Sequence, residues 1–291
     1  MKSLFQVLAL GLALPMFSQA VTAAPKKVLF FSKSAGFEHD MIKERGGKMS
    51  AAAKILQELG EKNNIEFTFS KDGSLFTPEN IAKYDAFCFY TTGNLTETGT
   101  DGNPPMPKGD KAAFLQAIHD GKGFVGIHSA TDTFHSPGSR YKNDGENADP
   151  YIKMIGGEFI IHGEQQAAHQ ICVDNKFPGM SSVPDDFGPK EEWYSLKNFA
   201  PNLHVLLVQH TEGMKGAPYQ RPDYPSTWAH LYGEGHVFYT SMGHRTDVWT
   251  NPVFQQVLAG GLKWATGQVD ADVTPNLDTA APQASKLPPE H

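Results

Sequence analysis

The sequence contains almost no cysteine: only Cys88 and Cys172 occur among its 291 residues. Each lies inside an apolar, strand-like run and neither lies in a turn, so neither has the position of a catalytic nucleophile. Thiols in separate buried strands are more often core residues than a disulfide, because the geometry of pairing is demanding. The sequence therefore points away from thiol chemistry.

Three other features are missing. There is no basic patch, and the formal net charge of −7 argues against a nucleic-acid partner. No GxGxxG motif opens the first predicted helix, so no nucleotide cofactor is implied. Beyond the N-terminal leader, no apolar run is long enough to cross a membrane.

The two ends of the chain differ in composition from the rest. Residues 1–24 combine a basic start, a short apolar segment and small residues at A-x-A spacing, which predicts a secretory signal peptide and a periplasmic or secreted protein. Residues 269–291 are rich in Pro, Ala and Asp, which predicts a disordered tail. One domain over residues 25–268 is expected between them.

Strand-like and helical patterns alternate along this domain. Strands are predicted at residues 27–32, 65–70, 85–90 and 124–127, and helices at residues 41–62, 78–83 and 111–120. This alternation predicts an α/β fold with a mainly parallel central sheet. Further strands are expected at residues 168–173 and 203–210, a hairpin at residues 228–232 and 236–240, and a closing helix at residues 252–264.

The segment GKGFVGIHSATDTF, residues 121–134, resembles a nucleophile elbow, in which a strand ends in a tight turn of small residues. His128 stands at the centre of the turn instead of Ser or Cys. An imidazole there suits a base, an acid, a metal ligand or a group that binds substrate. The alternative is a histidine that merely caps the strand.

Four histidines, His39, His128, His162 and His244, each follow a predicted strand within a glycine-containing segment. If the strands are parallel neighbours, the four side chains converge at one edge of the sheet. Such a set is compatible with a divalent transition metal such as Zn, but its dispersed spacing assigns no residue to a metal. The polar loop at residues 91–108 should overhang the same edge, as a lid or as an insertion without a role.

Glu192 precedes Trp193 and Tyr194 and is the leading candidate carboxylate. Burial beside aromatic rings is expected to raise its pKa and to suit acid or base catalysis. The alternative is that Glu191 and Glu192 are a pair of surface glutamates before a strand. Trp228 and Tyr194 are candidates for stacking on a sugar ring, but buried structural aromatics are more common.

The segments GFEHD, GKGFVGIHSATDTF, GGEFIIHG, EEWY and PSTWAHLYGEGHVFYTSMGH occur in this order. Together they resemble the trehalose-utilisation (ThuA-like) family, over about residues 27–267. The resemblance implies a flavodoxin-like three-layer α/β sandwich, similar to class I glutamine amidotransferases. His128 stands where an amidotransferase carries its cysteine, so glutamine hydrolysis through a thioester is not expected.

The resemblance further implies carbohydrate metabolism and a small-molecule carbohydrate partner, partly through sugars oxidised to the 3-keto form. The hypothesis is an enzyme acting on glycosides or 3-keto-glycosides by acid/base chemistry, which a metal could assist. Two alternatives are a non-catalytic sugar-binding or accessory protein and a metal-dependent hydrolase of esters or amides. The family positions fall on catalytic His128, Glu192 and Tyr194 and on substrate-binding His39, His162, Trp228 and His244.

Overall fold

The structure is a computed structural model that describes residues 23–290. Nearly all of the predicted signal peptide lies outside the described residues. The strands are β1 Lys26–Phe31, β2 Ile65–Ser70, β3 Ala86–Phe89, β4 Gly123–Ile127, β5 Glu158–His162, β6 Gln166–Ala167, β7 Gln170–Cys172, β8 Lys190–Glu191, β9 Tyr194–Lys197, β10 His204–Gln209, β11 Tyr224–Tyr232 and β12 Gly235–Thr240. The α-helices are α1 Ala51–Lys62, α2 Pro78–Ile81, α3 Asp110–His119, α4 Pro150–Ile155, α5 Thr246–Trp249, α6 Pro252–Ala265 and α7 Leu277–Ala280.

Eight strands form one central sheet in the order β2-β1-β3-β4-β12-β11-β10-β7. The first five are parallel to one another, and β11, β10 and β7 continue the sheet in antiparallel fashion. This confirms the predicted α/β fold with a mainly parallel sheet. The predicted hairpin is formed by β11 and β12, which pair directly.

Side chains alternate between the two faces of the sheet, as the pleat requires. In β1, Val28 and Phe30 belong to one buried cluster and Leu29 and Phe31 to the other. Helices α1 and α6 cover the first face, and α3 and α4 cover the second. The result is a three-layer sandwich whose two cores lie on either side of the sheet.

The first helix is shorter than the pattern predicts. The expected helix at residues 41–62 is realised as α1, which begins at Ala51 after Ser50 caps it by accepting a hydrogen bond from the Ala53 N–H. Gly46 and Gly47 adopt positive φ angles of 60° and 69°, which a helix cannot contain. The preceding residues form a turn of 3-10 helix at Asp40–Ile42.

Part of the C-terminal segment, for which composition predicts disorder, packs on the domain. Ala281 and Ala284 are buried. The side chain of Asn276 accepts a hydrogen bond from the Val205 N–H and donates one to the Val205 carbonyl. Val205 lies beyond the part of β10 that pairs with β7, so the asparagine satisfies backbone groups that β7 does not reach. The amino-acid composition of the segment gives no indication of this contact.

Both cysteines are free thiols. Cys88 is buried in β3, and Cys172 lies in β7. Within residues 23–290, no helix combines the length and apolar character needed to cross a bilayer.

Candidate functional site

Strand β4 ends in the elbow that the sequence predicts. His128 follows Ile127 directly, is fully buried and adopts φ +47°, a left-handed conformation that is uncommon for a residue other than glycine. A turn of 3-10 helix over His128–Asp132 then carries the chain away. The sharp turn holds the imidazole beyond the carboxyl end of the strand.

Gly126 lets the strand before the elbow pack closely against its neighbours. A Cβ atom at this position would lie 2.9 Å from Ile155 Cδ1, 3.0 Å from Tyr239 Cδ2 and 3.3 Å from Ala130 Cβ. The strand before the elbow is therefore packed too closely for a side chain.

We expect Gly126→Ala to lower the free energy of unfolding by about 1–3 kcal/mol, because the added methyl overpacks a filled core. Urea denaturation measures the change. Gly109→Ala is the matched control, since a Cβ there meets no atom within 4 Å. Equal stability of the two variants would contradict the packing argument.

The tautomer of His128 follows from its hydrogen bond. Its Nδ1 lies 2.8 Å from the Ser241 carbonyl oxygen, which can only accept, so Nδ1 carries the hydrogen and donates. Nε2 of the neutral ring therefore presents a lone pair. A metal-binding histidine usually has this arrangement, in which the other nitrogen donates to a carbonyl or carboxylate.

Two further histidines meet His128 at the carboxyl edge of the sheet. His39 lies in the loop after β1, and His244 lies just after β12, the strand that pairs with β4. The ring centroids are 4.9 Å apart for His39 and His128, 5.2 Å for His39 and His244, and 5.3 Å for His128 and His244. The predicted convergence is confirmed for these three.

Glu192 joins the cluster from outside the central sheet. It lies between β8 and β9, which pair with β6 and β5 in two small antiparallel sheets. Its Oε2 lies 3.5 Å from His128 Nε2 and 3.1 Å from His244 Nδ1. Sequence position marked Glu192 as a candidate, but only these small sheets explain how it reaches the histidines.

The expected rise in the pKa of Glu192 is wrong. Burial does raise the pKa of this carboxyl, but contacts with His128 and His244 outweigh it and hold the pKa well below its ordinary value. The carboxylate is therefore ionised at neutral pH and is a weak base. This favours a role as a ligand or as a fixed negative charge over general acid or base work.

His39 and His244 have opposite pKa shifts. Burial and then the neighbouring histidines hold the pKa of His39 well below 6.5, so its ring is neutral at physiological pH. Burial would also lower the pKa of His244, but its contact with Glu192 raises it above 6.5 overall. The imidazole of His244 is therefore the more basic of the two.

His162 and Tyr194 flank the cluster. They form a pair across β5 and β9. The His162 side chain is 44% exposed, and its Nδ1 lies 3.6 Å from Glu192 Oε1. The Tyr194 hydroxyl lies 3.4 Å from His39 Nε2, and burial raises its pKa well above 10, so it keeps its proton. His162 is thus at the solvent-facing rim, whereas Tyr194 forms a wall.

The structure does not bring Trp228 to this cluster, which corrects its assignment as a substrate-binding residue. Trp228 is fully buried, its Nε1–H donates to the Ile155 carbonyl at 2.9 Å, and its ring packs on Tyr239. Its position within β11 points the ring into the core. Of the two alternatives that the sequence leaves open, Trp228 is therefore the buried structural aromatic.

Glu191 is a residue that sequence reasoning passed over. It is fully buried, and its Oε2 accepts hydrogen bonds from the N–H groups of Gly243 and His244 at 2.8 Å and 3.1 Å. Its Oε1 accepts the N–H of Glu192 at 2.8 Å. One carboxylate thus ties the turn after β12 to the segment that carries Glu192. The only sequence signal was the pair of adjacent glutamates.

A charged network fixes the far end of the elbow turn. His135 contacts Asp132 through Nε2 at 2.8 Å and Glu158 through Nδ1 at 3.2 Å. Burial alone would lower the pKa of His135, but these two carboxylates raise it to about 9. Burial would raise the pKa of Glu158, yet His135, Ser136 and Lys197 lower it to about 2.

This network predicts a pH-dependent stability. Because the folded-state pKa of His135 exceeds its ordinary value of 6.5, its contribution is complete below pH 6.5 and is lost as the pH rises to about 9. We expect the free energy of unfolding, measured with urea, to fall across this window. In His135→Gln the fall should be smaller, and an identical pH profile would contradict the assignment.

The loop at residues 91–108 contacts the elbow, at the edge the sequence predicts. The Gly93 N–H donates to the Asp132 carbonyl at 2.7 Å, and the Phe134 N–H donates to the Gly93 carbonyl at 3.2 Å. Lys33 Nζ donates to the Asn103 carbonyl at 2.7 Å. The loop is therefore bonded to the segments after β1 and β4.

Four residues of the cluster have the composition of a metal centre. His39, His128, Glu192 and His244 each offer one ligand atom, and these atoms all lie within 4.8 Å of one another. Three imidazoles and one carboxylate suit Zn²⁺ and other first-row transition metals. His162 is not part of this set, although it contacts Glu192.

Comparisons with known proteins agree on family and fold. A family model described as trehalose utilisation (ThuA) matches residues 27–265. A crystal structure described as a ThuA-like protein from Bacteroides uniformis has 18% identity and a TM-score of 0.62, covering 86% of this chain and 95% of that one. One from Parabacteroides merdae, also described as ThuA-like, has 18% identity and a TM-score of 0.58, covering 90% and 99%. No curated protein gives a significant match.

Proposed function

This chain belongs to the trehalose-utilisation (ThuA) family, and from that membership we propose that it is an enzyme of carbohydrate metabolism acting on a glycoside or a 3-keto-glycoside. The observation that carries the proposal is the cluster of His39, His128, His244 and Glu192 at the carboxyl edge of the sheet. Ligands of open α/β sheets bind at this edge. Ionisable side chains brought together there are typical of a catalytic site.

The proposed chemistry follows from the acidity of a 3-keto sugar. A ketone at carbon 3 makes the hydrogen on carbon 2 acidic, so a base can remove that proton and leave the electron pair as an enolate. The enolate then forms the double bond between carbons 1 and 2, and the bond from carbon 1 to the aglycone oxygen breaks with its electron pair. The departing oxygen takes up a proton, which balances the elimination.

The buried cluster is proposed to stabilise the enolate, and the residues that flank it are proposed to transfer protons. The buried cluster polarises the ketone oxygen and stabilises the enolate. Glu192 is too weak a base to take the carbon 2 proton, because its pKa is held low. His162, half exposed at the rim, is the proposed base. Tyr194 remains protonated and is the proposed hydrogen-bond donor to the enolate or to the leaving oxygen.

Export is part of the proposal. The basic and apolar leader at residues 1–24 is typical of a secretory signal peptide, which would place the mature protein in the periplasm or outside the cell. There the enzyme would meet carbohydrate as a small-molecule substrate.

The test is incubation of the purified mature protein with 3-keto-trehalose, with trehalose and with a simple ester, with products followed by NMR. Release of glucose from 3-keto-trehalose, with a 1,2-unsaturated 3-keto sugar as the co-product, supports the proposed elimination. Release of glucose from trehalose itself would support action on a glycoside by a different step. Saturable sugar binding without conversion would replace it with a non-catalytic sugar-binding protein. Cleavage of the ester alone would replace it with an ester hydrolase.

A further inference from the structure

We infer that the polarising group in this cluster is one divalent transition metal ion, such as Zn²⁺, held by His39, His128, His244 and Glu192. Its catalytic role rests on the proposed function, whereas its binding can be tested without any substrate. The four residues follow β1, β4 and β12 or lie between β8 and β9, and only the fold brings them together. No local sequence motif therefore indicates the site.

The imidazole nitrogens of the cluster point to a shared ligand. Within residues 23–290, His39 Nδ1, His128 Nε2 and His244 Nδ1 are buried atoms without a hydrogen-bond partner. Buried polar atoms are almost always satisfied, so three such nitrogens in one cluster need an explanation. A shared metal ion satisfies all three through their lone pairs.

Two of the distances within the cluster match those of a tetrahedral zinc site. In a tetrahedral zinc site with ligands about 2.0–2.1 Å from the metal, neighbouring ligand atoms are roughly 3.3 Å apart. Glu192 Oε2 lies 3.5 Å from His128 Nε2 and 3.1 Å from His244 Nδ1. All four ligand atoms lie within 4.8 Å of one another, so no pair has to close by more than about 1.5 Å to reach the separation of a zinc site.

A simple ion pair explains these contacts less well. A proton shared between Glu192 and His244 requires the N–H to point at the carboxylate, yet His244 Nδ1 lacks a partner in hydrogen-bond geometry despite the 3.1 Å separation. His128 already carries its hydrogen on Nδ1, which donates to Ser241. Its Nε2 has no hydrogen-bond partner and lies 3.5 Å from Glu192 Oε2, a separation that leaves a cation room to bridge the two atoms.

The surroundings of the cluster match those of a metal site. His128 Nδ1, the ring nitrogen that would not bind the metal, donates to the Ser241 carbonyl. The Tyr194 hydroxyl lies 3.4 Å from His39 Nε2. Such outer contacts orient the ligands. The side chains of Glu192 and His244 are 12% and 20% exposed, so the site has a route to solvent on their side. An ion and a substrate oxygen can both approach there.

The test begins with the purified mature protein, freed of metal by a chelator and titrated with ZnCl₂ by calorimetry, with zinc content measured by elemental analysis. We expect one zinc per chain. His128→Ala and His244→Ala should each weaken binding by more than about 100-fold, since loss of an outer contact alone costs roughly 10–100-fold. His244 is the less buried of the two, so His244→Ala tests the site even if His128→Ala misfolds.

His119→Ala is the matched control, because it removes a histidine that is 53% exposed and ends α3, away from the four ligands. It should bind zinc as the unaltered protein does. No stoichiometric zinc in the unaltered protein, or equal binding by His244→Ala, would overturn the inference. Zinc binding without sugar turnover would reject the proposed function alone, whereas turnover by the metal-free protein would reject the metal alone.

Discussion

His162→Ala is expected to lower kcat for a 3-keto-glycoside by about 10²–10⁴-fold, the range typical of a lost general base. His162 lies at the solvent-facing rim, 3.6 Å from the buried carboxylate of Glu192, and it is not among the four proposed metal ligands. Its removal should therefore affect proton transfer more than substrate binding, so KM should change little and the protein should still hold one zinc when the metal is saturating. Steady-state kinetics with elemental analysis measures all three quantities.

His119→Ala is the control for that experiment. The His119 side chain is 53% exposed, close to the 44% of His162, but it ends α3 at the opposite edge of the sheet. The control should keep the unaltered kcat. An unchanged kcat in His162→Ala would show that another group removes the proton, and the division of tasks proposed for the rim would be wrong.

Glu191→Ala should have the largest effect on stability. The carboxylate accepts hydrogen bonds from three backbone N–H groups, those of Glu192, Gly243 and His244. Each buried donor left without a partner costs about 1–3 kcal/mol. Two of the three hydrogen bonds are only partly buried, so we expect a loss of about 3–6 kcal/mol. Urea denaturation measures it.

The control for this variant is Glu164→Ala, at an exposed position, where the change should stay within about 0.5 kcal/mol. Glu191→Gln is the informative intermediate. It keeps the shape of the side chain but offers one accepting oxygen instead of two, so its stability should fall between the other two. A Glu191→Ala protein as stable as the control would mean that Glu191 does not hold these two segments together.

The location of the site could be predicted from sequence because it depends on strand order. A strand followed by small residues around His128 indicated an elbow, and alternating strands and helices indicated a parallel sheet. Those two inferences already place His39, His128 and His244 at one edge, because parallel strands share their carboxyl ends. The structure agrees for all three.

The chemistry inside the site was harder to predict because it depends on pairs distant in sequence. The direction of the Glu192 pKa shift is set by His128 and His244, and burial alone suggested the opposite. The role of Glu191 depends on a turn 52 residues away along the chain. The sequence does not distinguish a buried Trp228 from a surface tryptophan that stacks on a sugar. Its packing on Tyr239, seen only in the structure, does.

The most direct test of the account is the kcat/KM of the mature protein and of His128→Ala for a 3-keto-glycoside such as 3-keto-trehalose. We expect turnover by the unaltered protein and a loss of at least about 10³-fold in the variant. Preorganised electrostatic groups of this kind commonly supply roughly 10²–10³-fold each, and His128 is also one of the four proposed metal ligands. Equal turnover by the two proteins would contradict the claim that the elbow histidine cluster is the active centre.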